Sequence, residues 1–316
     1  MESAAKIFLQ FADQAQVFYK DLDRQLASTF GQPIHAHSTA HRIPTKWYLT
    51  RIDSALIVTM FYLGTISGLY AFGEFVYGDS DTKKKDSKKK KKQLTVAEKV
   101  KEDGIIIFCS MLAYNFGQVL CCGWMVYEAI RQHRLQGLKF ICNDWPSFNA
   151  KRDGMAFVCY VFYISKIFDF LDTVFILIRR KMRQFSFLHV YHHTTIFLVY
   201  WINVNFNYEG DIYYTIVLNG SIHFIMYSYY CVRTLNIPVP LFLKKLITNL
   251  QMIQFCGMIA QAAYLLYHDE CKGTNRNLTW FYLFYIFTML GLFMNFSVQT
   301  YSKKKGTKVD DKKKKN

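Results

Sequence analysis

His189, His192 and His193 fall within five residues of one another in an otherwise apolar stretch, LHVYHHTTIFLVYW. Imidazole is the side chain poised to trade a proton near neutral pH, and it also serves as nucleophile or metal ligand. One such histidine would read as a packing residue, but three together in an apolar segment call for chemistry. Three further polar groups sit in comparable surroundings. KIFDFLDT holds Lys166, Asp169 and Asp172 three residues apart, so neighbours meet on a helix surface, and the plainest reading is an internal ion pair. NGSIHFIMYSYY carries Asn219, His223, Met226, Tyr227 and Tyr230 as a polar stripe along one helical face. Thr248, Gln251 and Gln254, again three apart, could donate amide hydrogen bonds or pack helices together.

Elements that hold these groups must lie in a membrane. The 316 residues are 52% hydrophobic and 17% aromatic yet carry 39 Lys+Arg against 23 Asp+Glu, so apolar and charged residues are segregated. The net charge of +16 comes largely from lysine runs without interleaved aromatics, which excludes a nucleic-acid interface and suits an anionic bilayer surface. About 20 apolar residues cross a bilayer. That measure predicts an all-α integral membrane protein with about seven spans, at residues 55–77, 104–130, 155–178, 185–206, 211–232, 241–267 and 278–301, six being the alternative count. Residues 1–54 form an N-terminal segment, in which Asp13, Gln14 and Gln16 interrupt any signal-peptide core. Residues 78–103 are a Lys-rich loop and 302–316 a basic tail.

The Lys/Arg bias of the loops predicts a lumenal N-terminus and a cytosolic C-terminus, although the loop with Arg131, Arg134, Lys139, Lys151 and Arg152 fits poorly. Lys313 and Lys314 match a dilysine signal for return to the endoplasmic reticulum. Asn277-Leu278-Thr279 is a glycosylation sequon in a loop assigned to the lumen, whereas the sequons at Asn219 and Asn295 lie within spans. Six of the eight cysteines fall inside spans; Cys142 and Cys271 occupy loops on the oxidising side, which predicts a disulfide between them. In this topology the four polar groups converge on the cytosolic half, His189 to His193 lying ~6 to 12 Å from the start of their span and His223 ~13 Å from the end of its own. Beyond them the spans are Phe, Tyr, Leu, Ile and Val. A chamber open to the cytosol and continuing into a blind apolar tunnel suits a ligand with a charged head and a fatty tail.

Intramembrane HxxHH also suggests a di-iron desaturase or hydroxylase. Of nine histidines only four share one compartment, and the His37/His41 pair with His35 precedes the first span, so a dinuclear site would be under-ligated unless Asp169 or Asp172 joined it. A transporter with a His/Asp proton relay is the other rival, but mid-membrane Gly/Pro breaks and an inverted repeat are not evident.

From Lys166 to Phe255 the chain resembles the ELO family of very-long-chain fatty acid elongases, the membrane 3-ketoacyl-CoA synthases. KIFDFLDTVF matches the family pattern KxxExxDTxF, LHVYHH matches HxxHH, NGSIHFIMYSYY matches NxxxHxxMYxYY and TNLQMIQF matches TxxQxxQF, in the family order. Asp169 stands where the family usually has glutamate, and the lysine run at 83–92 looks like an insertion. The resemblance implies six helices ringing a tunnel with the first span peripheral. It implies condensation of long-chain acyl-CoA with malonyl-CoA to 3-ketoacyl-CoA, CO2 and CoA, with no metal or redox cofactor. Expected partners are acyl-CoA, malonyl-CoA, the lipid bilayer, the ketoreductase, dehydratase and enoyl reductase of the cycle, and a second copy of the chain in a homodimer.

No cysteine lies in the four motifs, so histidine must supply nucleophile or base. Acylated imidazole would be reactive enough to pass its acyl group on and protected in a dry tunnel. His192 is the expected nucleophile, with His223 as partner or alternative site. His189, bonded from its ring to Asp172, and His193 would support them, and Asn219 would stabilise oxyanions. Lys166 would attract the CoA phosphate or malonyl carboxylate, Asp169 or Asp172 would fix a histidine tautomer, and Tyr227, Tyr230, Gln251 and Gln254 would contact substrate.

Overall fold

The structure, a computed structural model, describes residues 2–30, 47–77, 104–143, 153–207, 211–271 and 275–301, with Ala97, Val100 and Lys101 beside them. His35, His37, His41, the lysine run at 83–92 and the dilysine pair lie outside the described residues. The elements are helices: α1 Glu2–Phe30, α2 Ile52–Tyr77, α3 Ile105–Leu135, α4 Asp153–Ile178, α5 Phe187–Phe206, α6 Ile212–Thr234, α7 Leu241–Tyr267 and α8 Arg276–Tyr301. Seven coincide with the expected spans. The eighth, α1, corrects the reading of residues 1–54, which assigned no element there: Ala15, Tyr19, Leu22, Leu26 and Phe30 recur at three- and four-residue spacing and make an amphipathic helix too polar to read as a span.

By length and composition α2, α3 and α8 are apolar enough to cross a membrane, with only about a fifth of each apolar window buried inside the protein. In α4, α5, α6 and α7 buried polar side chains such as Asp169, His193, His223 and Gln254 lower the apolarity. That arrangement makes the chain a multi-pass α-helical membrane protein, in which a polar side chain persists only where a protein interior partners it.

α3 packs between α4 and α6, α6 meets α7, α7 meets α8, α8 meets α5 and α5 meets α4, which closes a ring of six. α2 lies outside the ring against α4 and α5, and α1 touches α2 and α8. The tightest pairing, α3 with α6, uses Gly220: a Cβ there would stand 2.8 Å from Val126 Cγ2.

One end of the ring is tied across by hydrogen bonds and a disulfide. Trp201 Nε1 and Asn205 Nδ2 both donate to the Thr50 carbonyl, at 2.8 and 3.0 Å, and the Tyr163 hydroxyl donates to the Leu49 carbonyl at 2.8 Å, tying residues 47–50 across that end. Asn143 donates from its side chain to Asp211 at 2.7 Å, and Cys142 is disulfide-bonded to Cys271 beside it. α1 ends here too, Asn275 donating to the Phe30 carbonyl at 2.6 Å while the Phe30 ring packs on Phe206 and Phe281.

The opposite end carries Arg179, Arg180, Lys181 and Arg183. α4 stops there in a Schellman turn, Arg180 taking the left-handed position (φ 50°) as Lys181 N–H reaches the Ile176 carbonyl; its guanidinium, donating to the Gly73 carbonyl at 2.6 Å, holds α2 to the turn. Ser186 then caps α5 by accepting from the His189 N–H, which starts the helix three residues before the first histidine.

Candidate active site

Within the ring, residues of α5, α6, α7 and α8 line a narrow, partly open cavity. His192, Asn219 and Gln254 stand at its polar end, and Val199, Tyr200, Thr215, Met258, Tyr282 and Tyr285 line the rest toward the tied end. The Thr215 and Tyr282 hydroxyls bond at 3.0 Å across α6 and α8. The cavity therefore runs from imidazole and amide groups into an apolar and aromatic pocket.

Of the three neighbouring histidines His192 is the one that lines this space. Helix geometry explains it: His192 and His193 point about 100° apart, so one of them must leave the chamber wall. The His192 ring lies 6.4 Å from that of His223 on α6 and 5.6 Å from that of His193, while the His193 ring lies tilted 4.3 Å from that of His189. Nδ1 of His192, His193 and His223 and Oδ1 of Asn219 are buried and meet no hydrogen-bond partner among the described residues. Unpartnered buried nitrogen and oxygen atoms are rare in folded proteins, and His192 and Asn219 line the cavity, where a ligand or water can partner them.

A second polar cluster lies beside the first, between α3, α4 and α6. Lys166 Nζ bonds Asp169 Oδ2 at 2.8 Å with both side chains almost wholly buried, and Gln118 Nε2 donates to the other Asp169 oxygen at 2.8 Å. The Tyr227 hydroxyl donates to Asp172 Oδ2 at 2.8 Å and stands 3.3 Å from Asp169 and 3.2 Å from the Tyr114 hydroxyl. Placed 4.3 Å over the Phe162 ring, the Lys166 ammonium gains a cation–π contact as well.

This network corrects three role assignments. Lys166 pairs with Asp169, so the internal ion pair is what the spacing built, and its ammonium is not free as the sequence reading had it. Neither carboxylate orients a histidine: Asp169 is taken up by Lys166 and Gln118, Asp172 by Tyr227. His189 bonds through Nε2 to Thr173 Oγ1 at 2.9 Å, not to Asp172, because Thr173 lies on the α4 face turned toward α5. Gln251 and Gln254 make only weak contacts to the sulfurs of Met226 and Met258, each at 3.8 Å. Tyr230, 38% exposed, packs edge-on against Tyr227 outside the chamber lining.

Tyr62, Tyr114, Gln118 and Thr173 belong to the site and were not singled out from the sequence. Tyr114 and Gln118 carried a readable signal, two polar side chains one turn apart in the apolar α3. Among the described residues no group of three or more His, Cys, Asp or Glu side chains is disposed to hold a metal ion.

A helical ring tied across one end, with a histidine-walled chamber, defines a polytopic membrane protein with a buried imidazole site. Comparison with known proteins makes this particular. The GNS1/SUR4 (ELO) family profile matches residues 47–309, and the chain belongs to that family. It is 35% identical over 202 residues to very long chain fatty acid elongase 4 of Homo sapiens, covering 63% of this chain and 64% of that protein. It is 34% identical over 198 residues to elongase 5 of Tachysurus fulvidraco (62% and 66%) and 33% identical over 192 residues to elongase 2 of Rattus norvegicus (60% and 68%). The chain thus spans somewhat under two thirds of the human relative's length.

Proposed function

We propose that this protein lengthens fatty acyl chains by condensing a long-chain acyl-CoA with malonyl-CoA, the acyl group being carried on His192. The observation that carries the reading is the cavity itself, in which His192 and Asn219 share a wall with an apolar and aromatic lining. Membership of a family whose relatives are named fatty acid elongases supports it.

In this mechanism a His192 ring nitrogen attacks the thioester carbonyl, the C–S bond breaks, and the CoA thiolate leaves and takes a proton from water. Malonyl-CoA loses CO2, and the electron pair left on its α-carbon forms the new C–C bond to the acyl carbon, expelling neutral imidazole. The product is 3-ketoacyl-CoA, two carbons longer. Asn219 stabilises the oxyanions, and His223 stands within reach of the same chamber. Neither metal nor redox cofactor enters these steps. Reduction and dehydration fall to a ketoreductase, a dehydratase and an enoyl reductase. The chain resides in the endoplasmic reticulum with its tied, disulfide-bearing end lumenal and the basic end cytosolic, where CoA substrates are, and Asn277 is its glycosylation site; a homodimer is the proposed assembly.

Purified full-length protein incubated with acyl-CoA alone should release CoA and gain one acyl mass by intact-protein mass spectrometry. His192→Ala should lose that adduct while Gln254→Ala keeps part of it. Turnover without any acyl adduct would favour direct attack by the enolate and demote the histidines to acid–base roles, and absence of two-carbon-longer product from every acyl-CoA offered would sink the condensing reading.

A further inference from the structure

The first span is peripheral to the ring, yet one of its side chains reaches the histidine motif. Tyr62 on α2 is 3% exposed; its ring stacks on Phe170 at 4.0 Å, and its hydroxyl lies 2.9 Å from Thr173 Oγ1. Thr173 is fully buried and lies 2.9 Å from His189 Nε2. Three polar groups from three helices thus form one chain, Tyr62–Thr173–His189.

Proton accounting fixes its direction. If His189 Nε2 were the donor, Thr173 would either donate to Tyr62 or accept from both neighbours, and in each case one of the two buried hydroxyl hydrogens would have no acceptor within the trio. If Tyr62 donates to Thr173, Thr173 donates to His189 and both hydroxyl hydrogens are used. The neutral His189 ring then carries its proton on Nδ1, and its Nε2 lone pair is occupied. Held in that tautomer, the ring packs tilted against His193 at 4.3 Å, and His193 in turn abuts His192 at 5.6 Å.

We infer that Tyr62, acting through Thr173, is a positioning residue for the reaction: it fixes the tautomer and orientation of His189 and so the packing of His193 behind His192. This rests on the condensing function proposed above. The peripheral helix is on this view part of the catalytic apparatus and not only an anchor.

Tyr62→Phe removes one oxygen and keeps the stack on Phe170, so its melting temperature in detergent should stay close to that of the wild type. Its kcat for condensation should fall roughly three- to tenfold, the scale of one net hydrogen bond, with KM for both substrates within twofold. Nitrogen-15 spectra of histidine-labelled protein should show, in the wild type, an unprotonated Nε2 signal that disappears in His189→Gln and shifts in Tyr62→Phe. Tyr62→Phe combined with Thr173→Val should lose no more than Thr173→Val alone. Wild-type kcat with an unchanged spectrum in Tyr62→Phe, or multiplying effects in the double variant, would overturn the relay. If Tyr62→Phe does not fold, Thr173→Val measured against Thr173→Ser decides it: Ser keeps the relay, and equal kcat in the two overturns it. A wild type that makes no elongated product refutes the condensing function, while the nitrogen-15 comparison still tests the relay itself.

Discussion

Lys166 and Asp169 form an ion pair of 2.8 Å in which the two side chains expose only 3% and 4% of their surface. Removing one partner of such a pair leaves a buried charge uncompensated, whereas replacing both by apolar groups of similar size is far milder. Lys166→Met should therefore destabilise the protein by about 3–5 kcal/mol. The Lys166→Met/Asp169→Leu pair should recover a large part of that, as read from thermal unfolding in detergent. A double variant as unstable as the single one would mean that Gln118 and Tyr227, not Lys166, hold the cluster together.

α3 and α6 meet most closely at Gly220, where a Cβ would lie 2.8 Å from Val126 Cγ2. The valine branch is stiff on a helix and cannot swing away. Gly220→Ala should lower stability by about 1–3 kcal/mol through overpacking. Val126→Ala in the same chain should restore most of it, and differential unfolding of the two variants checks both statements.

The Cys142–Cys271 disulfide joins residues 129 apart and ties the loop after α3 to the one after α7. Loop-closure entropy gives about 4.7 kcal/mol for a loop of ~100 residues in a freely unfolding chain. Spans that stay inserted in a membrane or micelle shrink that figure, to on the order of 2 kcal/mol. Reductant should lower the melting temperature of the wild type and leave Cys142→Ser/Cys271→Ser unmoved. Equal sensitivity of both would show that the bond does not form in the protein.

Spans were legible because length and apolarity fix a helix in a bilayer, and the four motifs were legible because polar groups in hydrocarbon demand partners. Which partners they take was not. The i, i+3 spacing put Lys166 against Asp169, but Gln118 and Tyr114 come from a helix about 50 residues earlier, and no local pattern states that α3 faces α4. His189 could meet Asp172 or Thr173 on spacing grounds alone; the rotation of α4 decided for Thr173. The substitution of aspartate for the family's glutamate at 169 is accommodated the same way, since a lysine on its own helix, one turn back, needs no longer reach. α1 does not read as a span because Asp13, Gln14, Gln16, Lys20, Asp21, Asp23 and Arg24 interrupt its apolar residues within any span-length window.

Tyr282 stands toward the tied end of the chamber, its hydroxyl 3.0 Å from that of Thr215, while Met289 lines the same wall two turns nearer the opposite end. Along α5 the lining runs from His192 to Tyr200, eight residues or ~12 Å. On the condensing reading proposed above, an acyl chain on His192 that runs along this lining reaches Tyr282. Tyr282→Ala removes a ring and should extend the longest product by at least one two-carbon unit, at a stability loss below the ~3–5 kcal/mol of a fully buried aromatic because Tyr282 is only partly buried. Tyr282→Phe keeps the ring and loses only the Thr215 bond, so its product profile should match the wild type. Met289→Trp fills the chamber closer to His192 and should shorten the longest product. These outcomes are read by chromatography of products from a panel of acyl-CoA chain lengths. Identical profiles for Ala, Phe and wild type at position 282 would mean that the acyl chain lies elsewhere than in this cavity.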